Sequence, residues 1–415
     1  MRCCFITLGC RVNQYESDAM AELLTQAGFE ITENPAEADV CIVNTCTVTN
    51  IADRKSRQML SKAHKLNPNA KLIAAGCFAQ RSPEAAAKLE GVYAVLGSAD
   101  KNRVVELVKS VAEGRENEPK SEKCNCGEKE LCDCCGGMKK FEQPENSECS
   151  GNAAGGAKIL VRDVMHEHEF EEMSAVHEGR TRAYLKIQDG CNMFCTYCAI
   201  PYARGGLRSR SIESVRAEAE KLNNEGFSEV VLTGIHLMSY GRDLRSGTDI
   251  RDAVRCFDGL NNIKRIRFGS LEPHMMTDEI IAELADNKRI CRQFHLSLQS
   301  GSDTVLERMR RGYTSGQYFE LCQKLRSAAK QPLQPILLRV FRAKRKRNIL
   351  KQSNSCAKWV LRKFISSRTQ GEAEQRRMQC LVSCQMPKKA AEQVSLLLSA
   401  GNRNTNTLNN TLEKQ

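Results

Sequence analysis

The chain has 415 residues, 21 cysteines and a formal net charge of +12. That length fits two or three domains, and no apolar run approaches the roughly 18 residues of a membrane span. The charge excludes less than it suggests: residues 330–415 hold 18 Lys+Arg and 4 Asp+Glu, while residues 1–329 hold 44 and 46, so basicity gives no argument that the folded body binds nucleic acid.

The opening Met1–Cys10 imitates a lipoprotein signal ending in Leu-Gly-Cys. Its apolar region is too short, since such a region fills about 7–15 residues. The expectation is a cytoplasmic chain without a membrane partner, whose cysteines serve metal or redox chemistry rather than disulfides. The first hundred residues repeat one pattern three times. Phe5–Cys10, Val40–Cys46 and Lys71–Cys77 are short apolar runs that each end in cysteine. Helical patterns lie between them, Glu16–Ala27 stopped by Gly28 and Ala52–Leu66 stopped by Asn67-Pro68. Strands alternating with helices predict a doubly wound parallel sheet, in which ligands gather beyond the carboxyl ends of the strands. Cys10, Cys46 and Cys77 each fall there, and the fold is expected to bring the three to one edge. A single cysteine at a strand end is usually a small packing residue, but the same event in three consecutive units predicts a three-thiolate site. Cys3, Cys4 and Cys41, inside the strands, read as packing.

Residues 113–180 read as a linker, polar over Glu113–Ser121 and small over Gly151–Gly156. Within it Cys124, Cys126, Cys132, Cys134, Cys135 and Cys149 form either a metal-binding tract or a cysteine-rich insertion. His166, His168 and His177 receive no role. From Thr181 to Ala329 strands and helices alternate again. Ala183–Gln188 is a strand; Ser211 caps a helix through Glu225; Glu229–Thr233 and Arg265–Ser270 are strands; Thr277 caps Asp278–Asp286; Phe294–Gln299 is a strand followed by helices Thr304–Arg310 and Gly316–Ala329. Four β/α units make a partial barrel, whose chemistry belongs at the carboxyl ends of its strands.

One of those ends carries Gly190-Cys191-Asn192-Met193-Phe194-Cys195-Thr196-Tyr197-Cys198. Three thiolates in a C-x3-C-x2-C array can hold three corners of a cubane iron–sulfur cluster and leave the fourth iron open to a ligand. A zinc site is the alternative, although no second pair or histidine follows at zinc spacing. Three buried structural cysteines are the remaining reading.

This array, with Tyr197 before its last cysteine, resembles the signature of the radical S-adenosylmethionine (SAM) superfamily. The flanks Lys186–Cys191 and Ile200–Gly205 narrow the resemblance to the methylthiotransferases that act on tRNA and ribosomal protein. Thr7–Ser17, Asn44–Asn50 and Gly76–Gln80 are similar to the amino-terminal domain of that family. Val12–Tyr15 and Ala52–Arg57 look most like the subfamily whose substrate is tRNA bearing N6-threonylcarbamoyladenosine beside the anticodon. The resemblance implies two 4Fe-4S clusters and SAM as cofactors. Cys191, Cys195 and Cys198 would hold the cluster that chelates SAM through its amine and carboxylate, where one-electron reduction releases a 5′-deoxyadenosyl radical. Cys10, Cys46 and Cys77 would hold an auxiliary cluster that presents sulfur. Gly234, Glu272 and Gln299, at strand ends, are the candidates to line the SAM pocket. Arg54, Lys55 and Arg57 after Cys46, and Arg204, Arg208 and Arg210 after the cysteine loop, are the candidates to meet an RNA phosphate backbone. The implied reaction adds a methylthio group to C2 of the modified adenosine, with tRNA as partner and a cytoplasmic one-electron donor. The alternatives are the same chemistry on isopentenyladenosine tRNA or a ribosomal protein, and a non-enzymatic iron–sulfur protein.

The resemblance runs from about Arg2 to Ala329 without the linker. The family continues with two more β/α units and a small RNA-gripping β-barrel, and nothing of that kind follows here. Residues 330–415 read either as out-of-frame translation or as a basic RNA-binding tail, and the radical SAM core of 181–329 reads as incomplete.

Overall fold

The computed structural model of the chain describes residues 1–114, 150–152, 156–175 and 180–328. The cysteine-rich tract from Cys124 to Cys149, His177 and the basic tail 330–415 lie outside the described residues. By packing the chain divides into two units. The first comprises Met1–Leu271 and Ala282–Cys291; the described part of the second comprises Glu272–Ile281 and 292–328.

The first unit opens with β1 (Arg2–Thr7), α1 (Arg11–Gln26), β2 (Glu30–Ile31), β3 (Val40–Thr45), α2 (Asn50–Leu66) and β4 (Lys71–Gly76). The short helices α3 (Cys77–Arg81) and α4 (Pro83–Ala87) follow, then β5 (Val92–Leu96), α5 (Val104–Ala112), β6 (Ser150–Asn152) and β7 (Lys158–Leu160). The strands form one sheet in the order β2-β1-β3-β4-β5-β7-β6. Every pairing is parallel except that of β6 with β7. Because successive strand side chains point to opposite faces, the buried strands carry two cores. Cys4, Cys41, Val43, Leu72, Ala74 and Val95 pack on one face with Leu60 and Ala63 of α2 and Ala86 of α4. Cys3, Val40, Ile42, Ile73, Ala94 and Leu96 pack on the other with Met20 and Leu24 of α1 and Leu107 of α5. The doubly wound sheet is therefore observed, and Cys3, Cys4 and Cys41 are packing residues in it.

The rest of the first unit is a second sheet in the order β11-β10-β8-β9. It consists of β8 (Ala183–Asp189), α6 (Ile200–Arg204), β9 (Arg208–Ser209), α7 (Ile212–Asn224), β10 (Glu229–Gly234), α8 (Ile250–Arg255) and β11 (Arg265–Phe268). Strands β8, β10 and β11 run parallel and β9 runs antiparallel to β8. Ser211 caps α7 by accepting from the Ser214 N–H, and Thr49 caps α2 by accepting from the Ala52 N–H. The helix α9 (Asp278–Asp286) is shared between the units; α10 (Asp303–Arg308) and α11 (Ser315–Ala328) belong to the second.

Three expectations change. The stretch read as a linker is partly folded, since β7 pairs with β5 and Met173 and Ala175 are buried against Tyr15 and Ala19 of α1. The run expected as a strand over Phe294–Gln299 forms a strand only at His295–Leu296, and the backbone is left-handed at Gln299, φ +64°. The boundary between the two packed units falls inside the expected barrel, after Leu271, rather than before it.

Candidate functional site

Cys10, Cys46 and Cys77 sit one to three residues beyond the carboxyl ends of β1, β3 and β4. Three adjacent parallel strands place them on one edge. Gly9, at φ +100°, lets the chain pass so close that a Cβ there would lie 2.7 Å from the Cys46 sulfur. Ser56 fixes the Cys46 backbone, donating to its carbonyl at 2.9 Å and accepting from its N–H at 3.1 Å. Cys46 and Cys77 are 4% and 2% exposed. Burial pushes the Cys77 thiol up, and the neighbouring Arg204 cation pulls it down. The sulfurs are electrostatic neighbours, Cys10 with Cys77 and Cys77 with Cys46. Beside them Asn44 Oδ1 and Thr47 Oγ1 are buried without hydrogen-bond partners.

Cys191, Cys195 and Cys198 lie on the loop between β8 and α6. Gly190 starts that loop at φ +68°, and a Cβ there would stand 1.6 Å from the Gly206 carbonyl oxygen. The Cys191 N–H donates to Gly205 O at 3.1 Å, and the Cys198 N–H to Cys195 O at 2.9 Å. Gln188 ties the loop to the next strand: its Nε2 donates to Gly190 O at 2.7 Å and its Oε1 accepts from the His236 N–H at 2.6 Å. Gly234 is needed by that contact, because a Cβ on it would meet Gln188 Oε1 at 2.9 Å. The sequence placed Gln188 only in a flank; its amide is the hinge between the two strand ends.

Between the two thiol trios lies a buried ionic network. Glu16 of α1 and Asp189 of β8 are its carboxylates; Lys101, Lys186 and Arg204 are its cations. Lys186 Nζ lies 2.8 Å from Glu16 and 2.7 Å from Asp189, and Lys101 Nζ lies 3.3 Å from Glu16. Arg204 meets Glu16 with both terminal nitrogens, Asp189 at 3.2 Å, and Asn13 Oδ1 at 2.6 Å. Its Nε donates to the Cys77 sulfur at 3.1 Å. Glu171 adds a third carboxylate at 4.0 Å from Lys101 Nζ, and Arg208 a further cation at 4.0 Å from Asp189. Ser98 Oγ donating to Ala203 O at 2.7 Å makes a second tie to α6.

This chemistry fits an iron–sulfur ligand set at Cys10, Cys46 and Cys77: two buried cysteines and an exposed one, a guanidinium aimed at one sulfur and orphaned polar atoms beside them. Among the described residues no three His, Cys, Asp or Glu side chains converge tightly enough for a single ion. A cubane binds each cysteine to a different iron and spreads its sulfurs more widely.

The arginines correct an expectation. Arg204, Arg208 and Arg210 are 0, 3 and 4% exposed. Arg208 donates to Arg204 O at 2.9 Å, and Arg210 pairs with Glu172 at 2.9 Å and Glu218 at 3.4 Å. They are internal cations and do not face a phosphate backbone. Arg54, Lys55 and Arg57 are exposed on the first turns of α2. In the second unit Glu272 is already paired with Arg311 and lies 3.6 Å from His274, so its carboxylate is not an open acceptor for SAM. Gln299 Oε1 is buried with no hydrogen-bond partner among the described residues.

Residues 2–97 match the family described as "Uncharacterized protein family UPF0004", and residues 185–333 match the radical SAM superfamily. The threonylcarbamoyladenosine tRNA methylthiotransferase MtaB of Aquifex aeolicus is 35% identical over 323 residues, which cover 77% of this chain and 68% of that protein. The chain belongs to the MtaB-type radical SAM methylthiotransferases. The MtaB of Bacillus subtilis is 37% identical over 325 residues, 78% of this chain and 63% of its own length. This MtaB-type chain therefore spans somewhat under two thirds of that relative. A solved radical SAM methyltransferase, TsrM from Kitasatospora setae, shares the fold with a TM-score of 0.56 at 15% identity, over 86% of this chain and 70% of that one. Membership of the radical SAM superfamily brings an iron–sulfur cluster and SAM as cofactors. Among the described residues no helix is long and apolar enough to cross a membrane.

Proposed function

We propose that this chain carries the two cluster sites of a methylthiotransferase that acts at C2 of N6-threonylcarbamoyladenosine beside the anticodon of tRNA. The observation that carries the reading is the joining of the two cysteine trios within one folded unit. Arg204 follows the Cys191–Cys198 loop by six residues and reaches the sulfur of Cys77. Cys191, Cys195 and Cys198 would hold the SAM-binding cluster, and Cys10, Cys46 and Cys77 the auxiliary one. Bound there, these groups supply radical chemistry strong enough for an aromatic C–H bond and a protected sulfur to replace it.

The residues of the chain position and shield. Gln188 and Gly190 set the path of the first cysteine loop. Ser56 and Gly9 set the second site, and the buried ion pairs join the elements that carry the two trios. Gly234 supports Gln188. The exposed Arg54, Lys55 and Arg57 flank the auxiliary site and suit the phosphates of the approaching RNA. The domain division that accompanies this reading is 1–112 and 181–329, with the partly folded stretch 113–180 between them and the tail 330–415 after them. A cytoplasmic one-electron donor completes the partners.

The test is to express the chain in a bacterial strain lacking its own threonylcarbamoyladenosine methylthiotransferase and to analyse tRNA nucleosides by mass spectrometry. Return of the methylthio nucleoside is the expected result. Cleavage of SAM to 5′-deoxyadenosine by the reduced, reconstituted chain, with unmodified tRNA, would remove this substrate.

A further inference from the structure

We propose that Arg204 is a positioning residue that raises the reduction potential of the auxiliary cluster through its hydrogen bond to Cys77. The inference rests on the reading of Cys10, Cys46 and Cys77 as cluster ligands. It adds a role for a residue borne by the other cluster's loop.

The geometry leaves the guanidinium no freedom. Its Nε reaches the Cys77 sulfur at 3.1 Å. One terminal nitrogen is held by Glu16 and by Asp189 at 3.2 Å. The other is held by Asn13 at 2.6 Å and Glu16 at 2.9 Å. The side chain is 0% exposed, so this cation is fixed against one sulfur in a medium where water screens little. Asn13 is itself locked, donating to Leu8 O and Thr45 O at 2.8 Å each. Those two carbonyls belong to the segments leading into Cys10 and Cys46.

Hydrogen bonds to the sulfurs and local charge are the protein's levers on the potential of an iron–sulfur cluster. Reduction adds one electron and makes the ligand sulfurs more negative. A fixed N–H donor bearing positive charge favours that state. A lysine at 204 would keep the charge but lose the planar fork that divides its donors between sulfur and carboxylate. The network thus ties the potential of one site to the placement of the loop that carries the other. Displacing α6 would withdraw the donor from Cys77.

The test uses the full chain with Cys191, Cys195 and Cys198 all changed to Ala, so that only the auxiliary site can load. It is reconstituted with iron and sulfide and titrated with dithionite in the presence of redox mediators, with the reduced cluster read by electron paramagnetic resonance. Arg204→Met combined with Glu16→Gln removes one charge of each sign, so the net charge of the network is kept. We expect its reduction equilibrium to weaken at least tenfold, about 59 mV more negative for one electron. Arg204→Lys should show a smaller shift in the same direction and a changed spectrum. A loaded cluster whose potential matches the parent in both variants overturns the proposal alone. A parent that binds no cluster at Cys10, Cys46 and Cys77 overturns the proposal together with the two-site reading. In the Cys46→Ala chain, the cluster on the Cys191 loop should keep its potential when Arg204 is changed to Lys; an equal shift there means a general structural effect and contradicts the proposal.

Discussion

Replacing Glu16 with Gln tests the ionic network that fuses the two sheets. Glu16 is one of two carboxylates shared by Lys101, Lys186 and Arg204, with Lys186 at 2.8 Å and Lys101 at 3.3 Å. Without its charge Lys186 and Arg204 are left with Asp189, and Lys101 with Glu171 at 4.0 Å. Removing one partner from a buried ion pair costs about 3–5 kcal/mol, against a total stability of about 5–15 kcal/mol. The thermal midpoint of the first unit should therefore fall by roughly 6–20 °C. In urea the midpoint should fall with an unchanged slope. A loss below about 1 kcal/mol would show that the network does not hold the sheets together. The pH dependence provides a second check. Burial alone would raise the Glu16 carboxyl, but Arg204, Lys101 and Lys186 outweigh it and hold it at about 2, below its ordinary 4.5. A depressed carboxyl contributes stability that is complete above the unfolded value and is lost as the pH falls toward the folded one. Between pH 5 and 2 the native chain should lose more stability than Glu16→Gln, and parallel curves would refute the assignment.

Further outcomes are expected. Gly190→Ala places a methyl 1.6 Å from Gly206 O on a backbone at φ +68°. Iron analysis should show loss of about half the iron with the far-ultraviolet circular dichroism unchanged; full iron would show that the loop tolerates the strain. Ser211→Ala removes the cap on α7 and should cost about 1 kcal/mol by chemical denaturation, with no change in iron content. Changing Arg54, Lys55 and Arg57 to Ala should weaken tRNA binding and lower the slope of log affinity against log salt by about 1 for each phosphate no longer neutralised. An unchanged slope would place the RNA elsewhere.

Much of this architecture is legible in the sequence because its signals are local. The apolar runs ending at Cys10, Cys46 and Cys77, and the caps at Thr277 and Ser211, are written in neighbouring residues. The cysteine loop is legible for the same reason, since its three ligands lie within eight positions. The fate of Arg204, Arg208 and Arg210 is not local. They look like a basic surface run, yet each is buried by partners far away in the chain, Glu16 for Arg204 and Tyr15 for Arg210. Pairing of that kind emerges only once α1 lies against β8. Strand β7 is hidden for a related reason: Lys158–Leu160 is three residues long, and its place beside β5 comes from the sheet rather than from its own pattern. Glu272 shows the limit of reading strand ends as binding sites, since its partner Arg311 is 39 residues away.

The central claim is that two separate cysteine trios each hold a cluster within one folded body. Iron and sulfide quantitation on the reconstituted chain and on its Cys46→Ala and Cys191→Ala variants tests it most directly. Each variant should keep about half of the parent's iron and sulfide, and the double variant almost none. Full metal content in Cys46→Ala, or complete loss in either single variant, would contradict two independent sites.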